Sequence, residues 1–105
     1  MKEKESDLVK SCLEWLAYKK IWAWRNNSGA FKTERGGFYR MGLLGSADIF
    51  AILPPNGTFV GIECKTGKNK LSLAQFEFGE KLMKAGGRYL VIRSLEDLEK
   101  ELKNN

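Results

Sequence analysis

A single turn restricts the fold more than any other feature. Pro54-Pro55-Asn56-Gly57 separates two apolar runs, residues 47–53 and 58–65. Proline presets one backbone angle and glycine accepts the other, so the four residues read as a tight reversal between two strands. A turn of that length sets Leu53 opposite Thr58, and stepping outward residue by residue sets Asp48 opposite Glu63. Their Cβ atoms would lie roughly 4.5–5.5 Å apart on one sheet face. A loop one residue longer would change that pairing. Two like charges so placed destabilise a sheet unless something compensates, and a divalent cation is the natural compensation. Mg²⁺ favours oxygen ligands, usually one or two carboxylates with waters and substrate phosphate. Lys65 follows Glu63 at the alternation that returns a side chain to the same face, where it could orient or activate an attacking water.

The ordinary reading of an Asp/Glu pair is solvated surface charge. Here the acids interrupt strands that otherwise carry Ile49, Phe50, Ile52, Val60 and Ile62. Glu-x-Lys alone says little, because Glu101 and Lys103 repeat it near the end of the chain. What distinguishes the first copy is its strand setting, its partnered Asp and the turn.

What the chain lacks narrows the chemistry further. It contains no histidine, which excludes an imidazole base and histidine-ligated zinc. Cys12 and Cys64 are too few for a zinc cluster and read as buried thiols of a reducing compartment. Residues 1–7 are charged, so no secretory signal is visible, and no apolar run approaches a membrane span. A soluble, cytoplasmic protein is expected, with 1–105 forming one domain. The net charge of +5 suits a polyanionic partner without requiring one.

Periodicity supplies the remaining elements. Residues 3–20 predict an amphipathic helix with the stripe Leu8, Val9, Cys12, Leu13, Leu16. Residues 21–25 suit a strand. Between 26 and 45 the pattern dissolves among five glycines (29, 36, 37, 42, 45), predicting a mobile loop with a short ribbon near 38–41. A second helix spans about 72–85, with Ser72 and Gln75 at capping-box spacing and Gly86-Gly87 as its stop. A strand at 89–93 and a helix at 95–103, capped by Ser94, complete the order α-β-β-β-α-β-α. The expectation is an α/β fold whose central mixed sheet is flanked by helices.

Gly45-Ser46-Ala47-Asp48, Gly61-Ile62-Glu63-Cys64-Lys65 and Leu71-Ser72-Leu73-Ala74-Gln75 together resemble the VRR-NUC group of PD-(D/E)XK nucleases, over almost the whole chain. That group includes the minimal nuclease modules of phages and bacteria and the end domain of the eukaryotic Fanconi-associated nuclease. The resemblance implies a restriction-endonuclease-like α-β-β-β-α-β core, Mg²⁺ or Mn²⁺ as cofactor, and phosphodiester cleavage in DNA. Stand-alone members resemble Holliday-junction resolvases that act as homodimers on branched DNA, which implies a homodimer in a bacterial or phage-infected cell. By the same likeness Asp48 and Glu63 are metal ligands, with the Cys64 backbone carbonyl a third, and Lys65 is the catalytic lysine. Glu5 corresponds to the glutamate of the first helix, and it leads the inward stripe through Leu8, Cys12 and Leu16. Gln75 corresponds to a glutamine near the site, besides its capping role. Ala47 stands where the superfamily has its proline, and Cys64 where a β-branched residue is usual. Neither change removes a functional group.

For DNA contacts the candidates are Lys32, Arg35 and Arg40 in the loop, Lys68 and Lys70 after the catalytic strand, and Arg25 and Asn27, which share a strand face. Trp22 and Trp24 alternate on one side of a strand, so core or dimer packing is expected of them rather than base stacking. Two other readings stay open: a catalytically silent DNA-binding module of this fold, and a small phage protein that acts on another protein.

Overall fold

A computed structural model describes residues 4–27 and 29–103, with side chains for all of these except 29–31 and 39–41. In chain order the elements are α1 (Glu5–Tyr18), β1 (Trp22–Arg25), β2 (Gly29–Lys32), β3 (Phe38–Met41), β4 (Ile49–Leu53), β5 (Thr58–Cys64), α2 (Leu73–Lys84), β6 (Arg88–Ile92) and α3 (Leu95–Leu102). One sheet runs β1-β4-β5-β6, antiparallel except for the parallel pair β5–β6. A parallel pair needs a crossover, and α2 supplies it. The predicted order thus survives, with one addition. The stretch read as a loop folds into an antiparallel ribbon of β2 and β3, and β2 was not anticipated. It is too short to show alternation, and its turn is held locally: Thr33 N donates to Gly37 O at 2.8 Å.

The hairpin register is the one the turn demanded, with Leu53 opposite Thr58 and Ile49 opposite Ile62. Alternation then sorts the side chains. Ile49, Ala51, Leu53, Val60, Ile62 and Cys64 face a core shared with Leu8, Val9, Cys12 and Leu16 of α1 and Leu98 and Leu102 of α3. Each fully buried Leu or Ile contributes roughly 1.5–3 kcal/mol. The opposite face presents Phe50, Phe59 and Tyr89 to α2. Phe78 stacks on Phe50 with centroids 6.2 Å apart and meets Tyr89 edge-on at 6.0 Å. Gly79 lets α2 settle on the sheet, because a Cβ there would enter the Tyr89 ring.

α1 ends sooner than the apolar pattern suggested, and its stop is a Schellman motif. Ile21 N donates to Leu16 O at 2.9 Å and Lys20 N to Ala17 O at 3.0 Å, with Lys20 in the left-handed region at φ 60°. β1 then leaves along the sheet edge. Of the two packings expected for its tryptophans, core or dimer, the core one fails: Trp22 is 71% and Trp24 38% exposed in the single chain. They project from the α2 face, but α2 covers the sheet on the β5–β6 side and does not reach them.

Candidate active site

β4 starts at Ile49 rather than at 47, and the reason is chemical. Asp48 Oδ2 accepts a hydrogen bond from Cys64 N at 2.8 Å, so a side chain completes the ladder where the backbone leaves it. Asn26 holds the same corner. Its Nδ2 donates to Ser46 Oγ at 2.7 Å and to Ala47 O at 2.9 Å, while its backbone N–H donates to Asp48 O at 2.8 Å. Asp48 is therefore fixed through both backbone and carboxylate.

Glu63 stands near the end of β5 and is only 3% exposed. Its Oε2 accepts from Gln75 Nε2 at 3.1 Å, and its Oε1 is buried with no hydrogen-bond partner among the described residues. An unpaired buried carboxylate oxygen is costly. The Glu63 pKa is accordingly raised to about 8, first by burial and then by the charge of Asp48. The Lys65 ammonium partly offsets the rise, while a proton shared with Asp48 and the more distant charge of Glu5 add to it. This is the behaviour of two acids held together without a cation.

Gln75 caps α2 and also reaches Glu63. Ser72 Oγ accepts from Gln75 N at 3.2 Å and Gln75 Oε1 accepts from Ser72 N at 2.9 Å. The reciprocal cap occupies the amide oxygen and leaves the amide nitrogen to hold Glu63. A glutamate there could cap the helix equally well but would have no donor for Glu63. The first turn of α2 is brought to the site by Gly45, at φ +80°, where any Cβ would run into the Ala74 carbonyl.

β5 ends at Cys64, one residue short of the expected 65, yet Lys65 N still donates to Ile92 O at 2.9 Å. That bond continues the parallel ladder and holds Lys65 beside the acids, half-buried. The Cys64 side chain is fully buried in the core. Contact with the Cys12 thiol, and then burial, push its own thiol far up from the usual range, so it stays a protonated core residue. In a strand the N–H and C=O of one residue point the same way, which aims the Cys64 carbonyl toward the Asp48 carboxylate. Glu5, half-buried in the first turn of α1, accepts from Asn69 Nδ2 at 3.2 Å. It borders the pair without completing a cage. No cluster of three or more His, Cys, Asp or Glu side chains suited to a metal occurs among the described residues.

Asp48, Glu63, Lys65 and Gln75 thus come together, with Glu5 at the margin. Lys32, Arg35, Lys68, Lys70, Arg25 and Asn27 are exposed, and the side chain of Arg40 lies outside the described residues. Arg25 pairs with Ile49, which places it on the sheet face away from Glu63; its neighbour Asn26 is the residue that reaches the site. Sequence reasoning missed Asn26, Asn69 and Tyr89. Pairing β1 with β4 would have exposed Asn26, since alternation from Trp24 carries it to Asp48. Tyr89 gives no such signal. Its hydroxyl is buried without a partner among the described residues, and burial, then the charges of Glu63 and Asp48, push its ionisation up.

The four-stranded mixed sheet with helices on both faces is a restriction-endonuclease-like α/β fold. The structure is similar to a solved "VRR_NUC domain", with a TM-score of 0.70, 21% sequence identity and 95% of each chain covered. No family model and no curated protein matches the sequence.

Proposed function

We propose that the protein is a metal-dependent deoxyribonuclease, with residues 1–105 acting as one nuclease domain. The observation that carries this reading is Glu63: a buried carboxylate, one oxygen unpaired, set against a second carboxylate and beside an ammonium group. The donor set suits Mg²⁺ or Mn²⁺, which take oxygen ligands and keep sites open for water and phosphate. Asp48 Oδ1, Glu63 Oε1 and the Cys64 carbonyl would hold the ion. When bound, it would supply Lewis-acid polarisation of a phosphate oxygen and a more acidic water.

The chain's own residues do the rest. Gln75 Nε2 fixes the Glu63 carboxylate by its other oxygen, so the unpaired one keeps its direction. Cys64 N does the same for Asp48. The Lys65 ammonium, tied to the sheet through its backbone, stabilises negative charge building on the phosphate or positions the water for in-line attack. Glu5 and Asn69 close the rim on the α1 side. Lys68 and Lys70 flank Asn69 and face solvent, where they would meet the phosphates flanking the reacting one. The fold likeness supports the same reading, as do the spaced segments around Asp48, Glu63 and Gln75.

Calorimetric titration with Mg²⁺ tests the metal. Uptake that vanishes in Asp48→Asn is expected, and no uptake by the intact protein would leave a DNA-binding module. Incubation with Mg²⁺ and labelled linear, flapped and four-way DNA then tests the substrate, and branched forms are expected to be preferred. Sedimentation on and off DNA tests the expected homodimer.

A further inference from the structure

β1 carries an aromatic row that the proposed chemistry does not use. Alternation puts Trp22, Trp24 and Asn26 on the sheet face of Asp48 and Glu63, in line. Asn26 touches the Asp48 corner, and the tryptophans lead away from it. The Trp22 and Trp24 ring centroids lie 5.5 Å apart at an interplanar angle of 50°. Trp24 meets Phe50 edge-on at 6.2 Å, and Phe50 continues to Phe59 at 5.0 Å. The row is therefore anchored in packed aromatics at one end and open at the other, where Trp22 is 71% exposed. Beyond it lies a cleft of about 240 Å³ lined by Lys20, Trp22, Ile52, Leu53, Pro54, Pro55 and Gly57.

Charge decides which partner suits this face. Lys20 lines the cleft beside Trp22, and the chain has no acidic residue from Trp15 to Thr33 and no charged one from Ile49 to Ile62. Neither strand of this edge, β1 or β4, therefore carries an acid. Lys20 also occupies the left-handed end of the Schellman motif, a position where glycine costs least. An exposed aromatic face with cations beside it is the surface that holds unpaired nucleotides: bases stack on the rings and lysines meet the phosphates. Stacking on an exposed ring needs an open base face, which unpaired nucleotides offer and the bases inside a stacked duplex do not.

We infer that the Trp22–Trp24 face, with Lys20 at its outer end, binds unpaired nucleotides of the DNA whose phosphodiester meets Asp48 and Glu63. The inference rests on the nuclease reading for what lies at the inner end and names its substrate class: DNA with a single-stranded segment adjoining the cleaved bond.

The test is binding of a fluorescein-labelled ten-residue oligothymidylate by anisotropy in EDTA, with tryptophan quenching as a second readout. EDTA removes cleavage, so failure of the chemistry cannot mimic failure of the track. Trp22→Ala should weaken binding about tenfold, and Trp22→Phe should recover most of it. Lys20→Gly should weaken binding while the melting temperature holds or rises, which separates contact from folding. Unchanged affinity in a folded Trp22→Ala, Trp24→Ala double variant would overturn the inference. So would a wild-type dimer that becomes monomeric in that variant with oligonucleotide affinity intact, because the face would then belong to a second copy of the chain. If the wild type binds the oligonucleotide through Trp22 yet cleaves no DNA with Mg²⁺, the track stands and the nuclease reading falls.

Discussion

Glu63 concentrates the account at the scale of one residue. Its pKa is raised from the ordinary 4.5 to about 8, so the metal-free fold prefers the protonated acid. The stability this contributes is full below about pH 4.5 and lost as the pH climbs through about 8. A cation competes with that proton. The melting temperature of metal-free protein should therefore fall between pH 5 and 8.5, on the order of the shift cited, while stabilisation by added Mg²⁺ grows over the same interval. Glu63→Gln should remove both trends and melt higher than the parent at high pH without metal. A metal-induced shift equally large at pH 5 and pH 8.5 would argue against the paired acids as its cause. The sequence made the pair visible because Pro54 to Gly57 left one register available. It could not show that Asp48 would give up its strand position to bond Cys64 N, since that depends on where the backbone ladder runs out. Nor could it show Asn26 holding the corner, which needs β1 beside β4, a contact distant along the chain.

At the scale of elements, α2 joins its own cap to the Glu63 contact through one side chain, Gln75. Ser72→Ala should cost about 1 kcal/mol in denaturant unfolding and leave cleavage nearly unchanged, because Gln75 Nε2 still reaches Glu63. Gln75→Ala should cost a similar amount of stability and in addition lower kcat, since the Glu63 carboxylate then loses the Gln75 Nε2 donor that orients it. Equal activity in the two variants would reduce Gln75 to a capping residue. Gly45→Ala should destabilise by more than about 1 kcal/mol, through the positive φ and the collision with Ala74 together. The cap at Ser72 was legible because Gln75 follows at the required interval. The exposure of Trp22 and Trp24 was not. Bulky alternating aromatics are most often packed, and only the limited reach of α2 across the sheet leaves these two open.

At the scale of the molecule, the helices divide the labour. α1 and α3 close one face of the sheet into a core, while α2 covers part of the other, leaving Asp48 part-exposed beside the buried Glu63. Lys68 and Lys70 are exposed on the segment that follows Lys65, and on the proposed function they meet phosphates, so DNA affinity is expected to fall with salt. Replacing Lys68 or Lys70 by Ala should lower the slope of log K against log salt by about one each, as read by anisotropy from 50 to 200 mM salt. An unchanged slope would remove that lysine from the interface. The coarse architecture was readable from periodicity and capping signals. The β2–β3 ribbon was only half visible, because glycines mask strand patterns as short as these.

The most direct measurement is Mg²⁺-dependent cleavage of a labelled flapped DNA by the wild type, Asp48→Asn and Glu63→Gln, with DNA affinity measured in parallel. The expected result is cleavage by the wild type that stops with EDTA, and no cleavage by either variant at near-normal affinity. Cleavage by either variant at the wild-type rate, or wild-type cleavage that persists in EDTA, would contradict a metal held between those two carboxylates.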